Sequence, residues 1–271
     1  MRKGYEVSGL VEGDPNTARA NLAAIRDRLD VRSLDLTDSR IVRELIADLQ
    51  PHEIYNLAAP SVVGASWNDP PATIAMMTGS VTCLLDAIAH ERPAARFFQA
   101  SSSEIFRGTD LTPQNEATPP RPTSPYGVGK LAGHALVHAY RERHGLHASS
   151  GILYNHESPR RPVDFVPSKI VNAAVQIKLG NQSELTLGDL AARRDWGFAG
   201  DFVDAMWRML QSDEPRDYVI ARGETHSVDQ LVNAAFAVLD LDPARYVRTD
   251  PRFMRAGDEA QLVGDPALIA A

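Results

Sequence analysis

Short apolar runs alternate with longer runs of helical period through the first half of the chain. Tyr5, Val7, Leu10 and Val11 predict a short strand flanked by glycines and ended by a Gly-Asp-Pro turn. A helix is predicted over residues 16–28 and a short strand over 31–36. Val42, Leu45, Ile46 and Leu49 then recur at i, i+3, i+4 and i+7, with capping oxygens from Thr37 to Ser39 and Pro51 at the far end, which predicts a helix. Strands follow at EIYNLAA, ARFFQASSS and ASSGILYN, separated by helices over 72–91 and over 126–145, the second closed by Gly145. Such alternation predicts an α/β fold of parallel strands joined by crossover helices.

Past Asn155 the rhythm loosens. HESPRRPVDFVPS is a loop rich in proline and charge, followed by a helix, the short strand LTLG and the loop DLAARRDWGFAG. Phe202, Met206, Met209 and Leu210 form one helical face, DYVIA is a strand, and Val228, Leu231, Val232, Ala235, Phe236 and Leu239 form another face behind the N-cap Ser227. The second half therefore reads as a smaller lobe interleaved with the first, with no internal repeat.

Composition narrows the partners. The 271 residues carry a formal charge of −7, with 44% apolar residues and a sequence pI near 5.6. An acidic chain argues against nucleic acid and anionic membranes as partners, so an anionic ligand must be met by placed cations. No apolar stretch approaches the roughly 18 residues of a membrane span, and MRKGYEV has no hydrophobic signal core, which predicts a cytoplasmic protein. The single cysteine, Cys83, supports neither a disulfide nor a structural zinc site. His134 and His138 lie four apart but lack a third ligand, and read as helix-surface residues, so no metal is expected.

Two stretches carry candidate chemistry. In SPYGVGK, Tyr126 and Lys130 are four apart at the start of a helix and share one face. An ammonium beside a phenol favours the phenolate, which would let Tyr126 exchange a proton near neutrality; the same spacing also describes an ordinary surface helix pair. In FFQASSSEIF an apolar strand runs into three serines and a glutamate. Residues two apart point the same way on an extended chain, so Ser102 and Glu104 are expected on one side, at the strand end where open parallel sheets hold ligands. Serines capping a turn and a solvated glutamate are the plainer alternative.

KGYEVSGLV, DLTDS, EIYNLAAPS, QASSSEIF, SPYGVGK, GILYNHESPRR, RRDWGFAGDFVDAMWRMLQ and DYVIARGETHSV together resemble the GDP-mannose 4,6-dehydratase family of the extended short-chain dehydrogenase/reductases, from about Lys3 to the end of the chain. That resemblance implies a Rossmann-like doubly wound parallel sheet, with cofactor domain and catalytic residues in 1–155 and a mainly substrate-binding lobe, interleaved with late Rossmann elements, in 156–271. It also implies a lyase that converts GDP-mannose to GDP-4-keto-6-deoxymannose by an internal redox cycle, and a homo-oligomer, dimer or tetramer. Ser102, Tyr126 and Lys130 would be the catalytic triad and Glu104 the base that removes the C5 proton. Glu12, Asp35, Leu36, Leu57, Ala58, Ala59, Tyr126, Lys130, Asn155, His156 and Arg160 would hold the cofactor. Ser61, Asn155, Glu157, Lys169, Arg194, Arg255 and Asp258 would hold the substrate.

Several positions depart from the family pattern. The glycine-rich T-G-x-x-G-x-x-G turn of the family does not occur here, and KGYEV corresponds to its second strand. The resemblance therefore implies that the first strand and its turn are missing, which would leave two sheet edges between residues 5–11 and 53–57. The family also continues past DPALIAA. Glu12 stands where the family commonly has an arginine suited to the 2′-phosphate of NADP, so NADP follows from the resemblance and NAD from Glu12. Pro60, Met77, Arg107 and Pro162 are further departures, Arg107 standing in place of a glycine. The chain as written is thus expected to be impaired as a dehydratase. Its alternatives are a catalytically silent relative that binds a nucleotide sugar or a partner subunit, and a nucleotide-sugar reductase or epimerase.

Overall fold

The computed structural model describes residues 3–11, 13, 20–253 and 261–271. In chain order it contains β1 (Ser8–Val11), β2 (Asp30–Ser33), α1 (Ser39–Leu49), β3 (Glu53–Asn56), α2 (Pro70–Glu91), β4 (Arg96–Ser102), α3 (Pro125–His144), β5 (Ala148–Leu153) and β6 (Asn155–Glu157). These are followed by α4 (Val166–Lys178), β7 (Leu185–Leu187), β8 (Arg193–Arg194), β9 (Trp196–Phe198), α5 (Ala199–Met209), β10 (Tyr218–Ile220), β11 (His226–Ser227), α6 (Val228–Ala237), α7 (Pro243–Tyr246), β12 (Val247–Thr249) and α8 (Ala267–Ala270). The architecture is α/β with parallel sheets.

Local signals explain the main helices. Asp38 caps α1 by accepting from the backbone N–H groups of Arg40 and Ile41, and Val42, Leu45 and Ile46 form its buried face. Ser124 caps α3 by accepting from Gly127 N–H, Pro125 starts the helix and Gly145 ends it at φ 64°. Ser227 and Gln230 make a reciprocal capping box on α6. The helix expected over 16–28 is not an α-helix in its described part, which holds two short 3-10 turns, Ala20–Leu22 and Arg26–Arg28. Its described side chains are exposed or half-buried, and a short helix without a buried face is not sustained by propensity.

The main sheet runs β10-β5-β4-β3, with every pairing parallel. β4 is apolar on both faces because both are covered: Phe97 joins a core with Val42, Val81, Leu85, Ile88 and Val137 from α1, α2 and α3. Phe98 and Ala100 join Phe202, Met206 and Met209 of α5 on the other side. Among the described residues α2 is long and apolar enough to cross a membrane, against the sequence reading. Val81, Leu84, Leu85 and Ile88 bury their apolar side chains in the core around Phe97, and Met77 is buried against Gly129. A separate cluster of α4, β7, α6 and β12 centres on Ile170, Leu185, Val232 and Phe236.

β1 and β2 pair parallel in a two-stranded sheet of their own. No ladder joins β1 to β3 among the described residues, in line with the two edges expected there. Side chains make the connection instead. Tyr5 Oη donates to Glu53 Oε1 at 2.8 Å and accepts from Trp207 Nε1 at 2.9 Å, while Gln211 Nε2 donates to the same Glu53 oxygen at 3.0 Å.

The C-terminal segment is clasped by two buried side chains. Gln114, fully buried, accepts from Tyr154 Oη and Val263 N–H at 2.8 and 3.0 Å. Asp195 accepts from the N–H groups of Arg222, Gly223 and Gly264 at 2.8, 3.0 and 3.1 Å. Burial pushes its carboxyl above the ordinary value, opposed by those three donors. Gly264 admits no side chain, since a Cβ there would meet Ala221 Cβ, Tyr154 and Val219 within 3 Å. Asp195→Ala is expected to cost about 3 kcal/mol by leaving three donors without an acceptor, and Gly264→Ala about 1–3 kcal/mol by overpacking. Urea denaturation checks both; midpoints unchanged from wild type would show that the clasp is not a stabilising contact.

Candidate active site

The carboxyl ends of β3, β4 and β5 open side by side, where ligands bind in parallel sheets. Asn56 closes β3 and donates from Nδ2 to Gln99 Oε1 on β4 at 2.8 Å, while its own Oδ1 accepts from Ala58 N–H at 3.2 Å. The turn carrying Leu57, Ala58 and Ala59 is therefore set by a buried amide pair. Sequence reasoning passed over both amides, because a polar pair inside apolar runs has no period of its own. Leu57 is exposed, Ala58 likewise, and Ser61 lies in the exposed stretch that follows.

β4 stops at Ser102, and Ser103–Phe106 form a 3-10 turn capped by Ser102 Oγ, which accepts from Glu104 N–H at 3.3 Å. Extended alternation therefore does not bring Ser102 and Glu104 together, contrary to the sequence reading. The turn does so, because the serine oxygen satisfies its first free donor. Glu104 is 14% exposed and its carboxylate is held by Arg107. Arg107 Nη2 donates to Oε1 at 2.5 Å and Nε to Oε2 at 3.3 Å.

α3 supplies the other half. A Cβ at Gly127 would lie 2.9 Å from Glu104 O, so the glycine lets the helix start press against the 3-10 turn. Tyr126 shares a hydrogen bond with Ser102. Burial raises the phenol above its ordinary value, the Ser102 bond opposes this, the Glu104 charge adds to the rise and the Arg161 charge counters it. Lys130 does not act as the sequence predicted. Its ammonium donates to Ala100 O at 2.8 Å and lies 5.6 Å from the Tyr126 ring centre. Burial pushes Lys130 itself down to about 8. The phenol accordingly stays protonated here, because the cation is spent on a carbonyl while desolvation acts on the ring.

NHESPRR and RRDWG meet by pairing of β6 with β9, with Asn155 opposite Trp196. His156 Nδ1 lies 2.8 Å from Tyr154 O and its ring stacks on Phe202 at 4.8 Å, and burial lowers its basicity. Glu157 faces Arg161 at 3.2 Å; burial raises the carboxyl and Arg161 opposes that. Of the two arginines, Arg161 acts on Tyr126, whereas Arg160, the cofactor candidate, is exposed. Paired arginines in a sequence give no hint of which turns inward.

Other expectations meet local chemistry. Asp35 Oδ1 accepts from Thr37 N–H and Oγ1 at 2.8 and 2.7 Å, which lowers its pKa, and Leu36 packs on the core around Val42. Lys169 donates to Thr186 O at 2.7 Å and sits 4.8 Å from the Phe253 ring centre, beside a cavity lined also by Asn172, Gln182 and Glu184. Arg194 lies on β8 and donates to Arg193 O at 2.7 Å. Met77 is core, packed where Gly129 passes α2. His134, read as a surface residue, is half-buried 3.7 Å from Asp217, whereas His138 is exposed. Glu12, Arg255 and Asp258 lie outside the described residues.

Comparison with known proteins places the chain in a family. The family described as GDP-mannose 4,6 dehydratase matches residues 1–271. The chain belongs to that family. It is 43% identical over 277 residues to GDP-mannose 4,6 dehydratase 2 of Arabidopsis thaliana, covering 98% of this chain and 74% of the relative. Two solved structures share the fold. UDP-glucose 4-epimerase of Thermus thermophilus, in complex with NAD, has a TM-score of 0.80 at 23% identity over 99% of this chain and 85% of its own. RMD of Pseudomonas aeruginosa, complexed with NADPH, has a TM-score of 0.80 at 21% identity over 98% of this chain and 91% of its own.

The burial of Lys130 has a measurable consequence. Its folded-state value near 8 lies below the ordinary 10.5. Between the two the unfolded chain holds the extra proton, so stability rises with pH in that window. From about pH 8 to about pH 10, wild type is expected to gain thermal stability relative to Lys130→Met. Parallel profiles for the two proteins would contradict a buried ammonium at this position.

Proposed function

We propose that the chain is a GDP-mannose 4,6-dehydratase that uses a nicotinamide cofactor. One observation carries this reading: a carboxylate, Glu104, stands beside the Ser102, Tyr126 and Lys130 group on a turn capped by the serine itself. A site for hydride transfer alone does not need that carboxylate.

The residues at the reacting end fit a nicotinamide group. A partly buried phenol and a serine hydroxyl face the strand ends, the exposed Leu57 and Ala58 offer apolar surface beside them, and Asn155 and His156 stand at the next strand end. Bound there, the cofactor would supply a hydride acceptor that later returns the hydride. The relative with NADPH and the one with NAD leave both forms open; NADP follows the family resemblance, and Glu12 admits NAD.

The protein groups then divide the work. Ser102 would hydrogen-bond the oxygen on C4 of the mannose, and Tyr126, which rests as the protonated phenol, would first release its proton to solvent and then, as phenolate, take the hydroxyl proton as C4 is oxidised. The buried Lys130 ammonium, 5.6 Å from the Tyr126 ring centre, fixes α3 on β4 through the Ala100 carbonyl. A ketone at C4 acidifies the C5 proton. Glu104 takes that proton, the C5 electron pair forms a C5–C6 double bond, and the C6 hydroxyl leaves as water with the proton that Glu104 gives back. With the hydride restored to C6, C5 would take a proton from solvent, balancing the one the Tyr126 phenol released, to complete the 4-keto-6-deoxy sugar. Lys169 and Arg194 are the cations for the diphosphate, which an acidic chain must meet with placed charge.

The full-length protein, incubated with GDP-mannose and NADP or NAD, is expected to yield GDP-4-keto-6-deoxymannose. Glu104→Gln should lose about 10²–10⁴ in kcat, and Tyr126→Phe a comparable amount. Normal turnover by the glutamine variant would remove Glu104 as the base. Oxidation of added NADPH with no loss of water would assign a reductase instead.

A further inference from the structure

Arg107, which by the resemblance stands where the family has a glycine, makes a tight side-chain contact to the proposed base. Its Nη2 and Nε reach the two Glu104 oxygens at 2.5 and 3.3 Å, with each side chain 14% exposed. This side-on fork fixes a carboxylate in plane as well as in position, which a lysine cannot do.

The backbone leaves the fork little freedom. Ser102 Oγ caps the turn, and Arg107 N–H closes it on Glu104 O at 3.4 Å. On either side of Arg107, Arg121 N–H donates to Ile105 O at 2.7 Å and Gly108 N–H to Arg121 O at 2.8 Å. A Cβ at Gly108 would lie 2.7 Å from Arg121 O, so that close approach needs glycine. The charge of Glu104 is felt at Tyr126 and that of Arg107 at Tyr154. With 14% of each side chain exposed, the ion pair lies largely buried at the 3-10 turn that follows β4.

We propose that Arg107 is the positioning residue of the dehydration step, holding the Glu104 carboxylate in the orientation from which it reaches the C5 proton. This rests on the dehydratase reading above. Arg107 touches neither sugar nor cofactor in this scheme; it acts through Glu104, and the fork leaves each oxygen a further lone pair for the transferred proton.

Two measurements on the full-length protein test it. In the first, Arg107→Gln is expected to lower kcat for GDP-mannose about 10- to 100-fold, with KM within about twofold, because misplacing a catalytic group costs turnover and not binding. Deuterium uptake at C5 in heavy water should fall in step, and Arg107→Lys should recover part of the loss. In the second, which needs neither substrate nor cofactor, Arg107→Gln should lower Tm in wild type and change it far less in a Glu104→Gln background. An unchanged or raised kcat in Arg107→Gln overturns the assignment. Equal Tm losses in both backgrounds also overturn it, since Arg107 would then support the turn and not the carboxylate. Wild-type protein that leaves GDP-mannose intact would remove the reaction and this role together, while the melts would still report the ion pair.

Discussion

The site depends on a buried ammonium. Lys130 extends from α3 to the carbonyl of Ala100, a bond that takes the place of water around a charge the core would otherwise reject. It ties the helix that carries Tyr126 to the strand that ends in Ser102. With that distance set, the Ser124 cap, the glycine that lets the helix touch the 3-10 turn and the Ser102 cap of that turn agree on one geometry. The cost of burial shows as the lysine's weakened hold on its proton. The phenol above it is likewise pushed toward its neutral form, so the resting site keeps its proton.

Much of this was legible in the residues themselves. Helical period located α1, α3, α5 and α6, and both the Gly145 stop and the Ser227 cap lie where the sequence put them. Ser102, Glu104, Tyr126 and Lys130 converge as the motifs suggested, although the reasons differ in two places. A capped turn places the carboxylate, and a backbone carbonyl claims the ammonium. Periodicity reports which face is apolar; it does not report which polar partner a buried charge selects.

What stayed hidden shares a physical character. The Asn56–Gln99 amide pair, the inward turn of Arg161 and the fork of Arg107 are single polar contacts across long or irregular stretches. None leaves a repeat in the sequence. The segment over 16–28 shows the converse: a pattern that suggested a helix lacks a buried face in its described part.

The two halves of the site rest on different cores. The reacting residues stand on strands packed around Phe97 and Phe98, whereas Lys169 belongs to α4 and to the cluster centred on Ile170, Leu185 and Phe236. A substitution that reshapes one core leaves the packing of the other intact, so on the reading proposed above the cation assigned to the diphosphate and the groups assigned to the sugar can change independently. The reacting groups and Lys169 thus answer to different packing constraints within one chain.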